Sequence, residues 1–144
     1  MVVALVLAII IMANVLRPLV NLIFPDPAEP PLPAQVELLE EVDDPRVSDG
    51  EWLYGTDMDG CALAAFYESQ GSTCNYNPLN CAGGVYVAGL DPDTGERTGE
   101  TAQIGICTGS KSDVVNSYSW EVYINTGFAE GPYTIFRVYL YRER

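Results

Sequence analysis

The stretch SYSWEVYINTGFAEGPYTIFRVYLY, residues 117–141, decides the fold. It holds two runs, 117–125 and 133–141, joined by the turn-forming segment TGFAEGP. Successive side chains of a strand point to opposite faces. Trp120, Val122 and Ile124 therefore share one face of the first run, and Thr134, Phe136, Val138 and Leu140 share one face of the second. Both runs are rich in the aromatic and β-branched residues that suit a pleated, half-buried surface. The pattern predicts a β-hairpin with one apolar side. The other side of the second run carries Tyr133, Arg137, Tyr139 and Tyr141. Aromatic residues and arginine dominate interface energetics, so these four form a candidate partner-binding face.

Working backwards from the hairpin, the same texture of short apolar runs broken by Gly, Asn, Asp and Pro reaches Trp52. It predicts a small β-rich, all-β domain over 52–144. CALAAFYESQ, 61–70, is expected to be its one short helix, stopped by Gly71. GGVYVAGL and TAQIGIC flank the polar DPDTGERTGE and read as a second hairpin. A turn centred on Asp93-Thr94-Gly95 would set Cys81 opposite Cys107 and leave Cys61 to close on Cys74. These four are the only cysteines; they form no C-x-x-C pair, and the chain has no histidine to complete a common zinc site. Four cysteines allow three pairings, and the hairpin selects Cys61–Cys74 with Cys81–Cys107. Two disulfides in a small domain imply an oxidising compartment.

The front of the chain is different. Residues 2–24 contain fifteen Val, Leu, Ile or Phe and a single charge, Arg17. Those fifteen contribute about −5 to −9 kcal/mol towards membrane insertion. Arg17 opposes this by only about 2.5 to 3.5 kcal/mol. A helix of that length reaches about 35 Å, enough to span the hydrocarbon core. There is no basic n-region and no small-x-small cleavage site, so residues 1–24 read as an uncleaved transmembrane helix and not as a signal peptide. Asn14, Arg17 and Asn21 lie at i, i+3 and i+7, which makes one stripe of that helix polar. Asn21 and Arg17 can reach the outer headgroups, but Asn14 lies about 15 Å below the end of the span. Polar groups at that depth face protein or water. The stripe is expected to pack against other transmembrane helices.

Residues 25–51 read as a proline-rich, acidic linker. PDPAEPPLP, 25–33, has five prolines in nine positions and should run as polyproline II, while AQVELLEEV, 34–42, fits a short helix. Residues 26–51 carry nine Asp or Glu against one Arg. With the cysteines placed outside, the N-terminus is expected on the cytoplasmic side and the domain on the periplasmic or extracellular side.

Several functions are excluded or disfavoured. The absence of histidine removes Ser-His and Cys-His nucleophile pairs, blue-copper and Rieske sites and His-based zinc hydrolysis. A net charge of −13 opposes nucleic-acid binding. DMDG (57–60) and DPDTG (91–95) resemble the start of a calcium loop, and Glu68 stands twelfth from Asp57. Cys61, Leu63 and Ala65 fill the intervening ligand positions, however, and ordinary turn chemistry explains both stretches. Asp57, Asp59 and Glu68 could supply a glycosidase carboxylate pair, but nothing sets their separation. No catalytic residue, cofactor or metal is expected.

What remains is an accessory, structural subunit of a multi-subunit membrane complex, with energy-transducing and electron-transport complexes as candidate hosts. Its expected partners are transmembrane helices, membrane lipid and an extracytoplasmic protein subunit. One alternative is a filament subunit. An apolar N-terminal helix followed by a disulfide-bonded β-rich domain resembles the layout of type IV pilins, although those usually carry glutamate as the fifth mature residue and Leu5 stands here. Another is a surface module that binds glycan or peptide through its aromatics.

Overall fold

The computed structural model describes residues 30–42, 48–76, 81, 89–91, 93–112 and 117–143. Among the described residues it is a small all-β domain: one six-stranded antiparallel sheet and one short helix, with two disulfides. The proposed transmembrane helix and its Asn14, Arg17 and Asn21 lie outside the described residues, as does 82–88 of the second hairpin.

In chain order the elements are β1 (Glu37–Val42), β2 (Gly50–Thr56), α1 (Gly60–Ser69), β3 (Thr73–Tyr76), β4 (Ala102–Ser112), β5 (Ser117–Thr126) and β6 (Thr134–Glu143). Their order across the sheet is β1-β2-β6-β5-β4-β3. The last strand thus enters the middle, pairing with β2 on one side and β5 on the other. The β5–β6 hairpin is the one read from the sequence. Thr126 faces Thr134 at its closed end, where their buried hydroxyls meet at 2.7 Å. Gly127 adopts a φ of +94°, in the left-handed region that favours glycine, and its N–H donates to the Tyr133 carbonyl.

One face of the sheet is the core face. Tyr54, Trp120, Val122, Ile124, Phe136, Val138 and Leu140 are buried there, together with Leu63, Ala64 and Tyr67 of α1. The helix packs on β3, β4 and β5. Its start is set by Asp59, whose carboxylate accepts the N–H groups of Cys61 and Ala62 at 2.8 and 3.1 Å. Its end is a Schellman turn: Gly71 takes a φ of +87°, its N–H donates to the Glu68 carbonyl, and the Ser72 N–H donates to the Tyr67 carbonyl.

Two expectations are corrected. The disulfides are Cys61–Cys81 and Cys74–Cys107, not Cys61–Cys74 and Cys81–Cys107. The outer edge of β4 at Cys107 is taken by β3, which sets Cys74 directly opposite it. Cys81 instead closes on Cys61 in the first turn of α1. Residues 37–42, read as part of a helix, form the edge strand β1. Its register slips between Leu38 and Glu40, and this bulge, with its carboxylates, blunts an exposed sheet edge.

Tyr67 marks a cost inside the core. Its side chain is fully buried, edge-on to Phe136, and its hydroxyl has no hydrogen-bond partner among the described residues. Burial, and then the neighbouring Tyr54, push its ionisation far above the ordinary phenol range. Tyr67→Phe removes a desolvated hydroxyl and is expected to raise stability by about 1 kcal/mol in denaturant titrations. The pH dependence has a definite sign. A phenol whose folded pKa is raised contributes stability that is complete below its unfolded value, about 10, and is lost as pH rises towards the folded one. The wild-type chain is therefore expected to lose stability above about pH 10, and Tyr67→Phe to lose it less steeply.

Candidate partner-docking surface

Strand alternation gives the sheet a second side, and among the described residues no helix or strand packs on it. The register assembles that side row by row. Glu51, Tyr139, Glu121 and Thr108 form one row across β2, β6, β5 and β4; Leu53, Arg137, Tyr123 and Ile106 form the next. Tyr141 and Ile135 extend it along β6. These side chains are half-exposed, apart from the buried Glu51 and the exposed Thr108, whereas Val122, Ile124, Phe136 and Val138 on the core face are sealed.

The aromatic and charged groups of this open face are tied together. Tyr123 and Tyr139 meet edge to face, with centroids 5.6 Å apart and planes at 83°. The Tyr123 hydroxyl donates to Glu121 at 3.2 Å. Burial first, and then the Glu121 carboxylate, raise the Tyr123 and Tyr141 phenols above their ordinary range. A hydrogen bond with the Tyr139 phenol, and beyond it the Glu51 and Glu40 carboxylates, hold Arg137 above its usual value. The Arg137 guanidinium donates to Glu51 at 2.6 Å. Glu51 is only 7% exposed, and among the described residues Arg137 is the cation it pairs with. Arg137 is 41% exposed, which caps what the pair contributes. Arg137→Met is expected to lower stability by about 1–3 kcal/mol, because a nearly buried carboxylate is left behind. Adding Glu51→Gln should recover part of that loss in the same denaturant measurement.

Of the four residues read as a partner-binding face, Arg137, Tyr139 and Tyr141 lie together on the open side. Tyr133 does not join them as exposed surface. It precedes β6, is 7% exposed and lies beneath Arg97, whose guanidinium carbon is 5.3 Å from its ring centroid. Arg97 also donates to the Gly131 carbonyl at 2.7 Å and pairs with Asp57 at 3.1 Å. It thereby clips the 89–101 loop to the ends of β2 and of the β5–β6 turn. Tyr123, Glu121, Leu53 and Ile106 were not singled out from the sequence. Alternation within 117–125 signals Glu121 and Tyr123, but only the register brings Leu53 and Ile106 beside them.

At one end the face borders a cleft of about 400 Å³ lined by Gln35, Glu37, Thr56, Asp57 and Pro132 among others. Gly55 is required there, since a Cβ would run into Pro132. Asp57 serves Arg97 and Asp59 caps α1, while Asp91 accepts the N–H groups of Asp93 and Thr94 in the loop turn. Those two bonds hold the Asp91 carboxyl below its ordinary range. Among the described residues no three Cys, Asp or Glu side chains converge as a metal site, and no helix is long and apolar enough to cross a membrane. Compared with protein-family models, curated proteins and solved structures, the chain matches none.

Proposed function

We propose that this chain is a non-catalytic accessory subunit of a multi-subunit membrane complex, and that its domain docks on an extracytoplasmic protein through the open face of its sheet. The observation that carries the reading is that face: Tyr123, Tyr139, Tyr141, Leu53, Ile106 and Ile135 form a contiguous half-exposed patch on a side that no described helix or strand covers. Contiguous apolar patches of this kind mark association surfaces. Two disulfides support an oxidising, extracytoplasmic location. The apolar composition of residues 2–24 supports a single membrane-spanning anchor with its N-terminus in the cytoplasm. The Asn14, Arg17 and Asn21 stripe supports packing of that anchor against neighbouring helices. Extraction of native membranes in mild detergent followed by native sizing tests the reading. The chain is expected to migrate in a larger assembly, and a free monomer after gentle extraction would contradict it.

A filament subunit of pilin-like layout is the second reading, supported by the order of an apolar N-terminal segment before a disulfide-bonded antiparallel sheet. It requires the face to meet another copy of the same chain.

A further inference from the structure

Resting on the docking reading above, we infer that the open face takes a protein surface with an apolar centre and a rim of lysine or arginine, and not a second copy of this chain. The charges of the face carry the inference. Its described side chains include four carboxylates, Glu37 and Glu40 of β1, Glu51 of β2 and Glu121 of β5. Against them stands one guanidinium, Arg137, which Glu51 already engages. Counted over these described side chains, the net is three negative charges. Lys111 and Arg142 do not offset them, since they share the register row of Tyr118 on the core side. Two of the uncompensated carboxylates sit at an edge of the sheet. Glu37 and Glu40 are exposed along β1, whereas Glu121 lies inside the sheet, in the register row of Tyr139. The middle holds Leu53, Tyr123, Ile135 and Tyr139 around the Arg137–Glu51 ion pair.

A centre of apolar and aromatic side chains around one internally paired guanidinium, bordered by charge, fits the ordinary anatomy of a protein interface. Rim charges select partners of opposite sign and speed their encounter. A second copy would bring the same acidic rim, on a chain of net charge −13. Like charges juxtaposed across an interface oppose association. A polyanion such as nucleic acid or an anionic lipid surface is repelled for the same reason. A sugar ring is poorly served as well, because Tyr123 and Tyr139 stand edge to face and make no coplanar shelf.

The test uses the full chain in its native membrane. The double variant Glu37→Lys/Glu40→Lys shifts the charge of the face by four units towards positive. After mild-detergent extraction, the assembled fraction is expected to fall about tenfold or more, and added salt should weaken the wild-type assembly. A control, Glu68→Lys/Glu96→Lys, changes charge by the same amount at exposed positions of α1 and the 89–101 loop and should leave the assembly intact. Tyr139→Arg, at the centre of the face, should also release the chain, with circular dichroism showing that the sheet persists. If Tyr139→Arg releases the chain and the double lysine variant does not, the basic-rimmed partner is wrong while the docking face stands. If neither releases it, the docking reading falls and takes this inference with it. An assembly made only of this chain, or one dissolved by free oligosaccharide and insensitive to salt, overturns the inference.

Discussion

The double variant Cys74→Ala/Cys107→Ala is expected to lose about 3–4 kcal/mol of stability, much of the margin of a small domain. The bridge joins residues 33 apart in sequence. Cutting it returns to the unfolded chain the freedom of a loop of that size, which sets the magnitude. It also frees β3, a strand of only four residues that, among the described residues, pairs with β4 alone. The loss should therefore show as early fraying of β3 in hydrogen exchange as well as a lower denaturation midpoint. The other bridge, Cys61–Cys81, spans a separation of 20 and fastens the start of α1. Its removal should cost slightly less. Disulfide mapping by mass spectrometry checks the pairing itself. Finding Cys61 joined to Cys74 would contradict the strand order at that edge, because Cys74 could not then close on Cys107.

Trp120→Ala is expected to cost about 3–5 kcal/mol. The indole is 4% exposed on the core face of β5. It lies over Gly109, its register partner in β4, where an added Cβ would collide with the ring. Its Nε1 donates to the Ser72 hydroxyl at 3.1 Å, so one side chain links β5, β4 and the turn that leaves α1. Truncation opens a cavity and also removes the partner of the buried Ser72 hydroxyl. Trp120→Phe keeps most of the volume and loses the hydrogen bond, so its cost should be nearer 1–2 kcal/mol. Equal losses for the two variants in equilibrium unfolding would show that packing at Gly109 contributes little.

The parts of the fold that were legible are those in which local pattern and tertiary pairing agree. The β5–β6 hairpin alternates cleanly on both arms, and α1 combines an apolar run with Gly71 at its end. β1 was misread because ELLEEV is made of good helix formers, and its Leu residues also fit a helical face. Pairing with β2 overrides that preference, and nothing within six residues announces it. The disulfide pairing failed for a related reason. A turn at Asp93-Thr94-Gly95 would bring Cys81 back opposite Cys107, whereas β3 lies against β4 there instead. The candidate face was legible along β6, where Arg137, Tyr139 and Tyr141 alternate. It failed at Tyr133, which lies one residue before the strand starts and turns under Arg97. The contributions of Glu121, Tyr123 and Leu53 needed the register, because a face is a property of neighbouring strands and not of one.

We propose that the tyrosine-lined side of the sheet is covered by a partner in a native membrane. Hydroxyl-radical footprinting read by mass spectrometry addresses it directly, comparing native membranes with the full chain purified alone in detergent. Tyr123, Tyr139 and Tyr141 are expected to be several-fold less reactive in the membrane, while Tyr118, on the core side, reacts equally in both. Equal labelling of the three open-face tyrosines in the two samples would contradict the account.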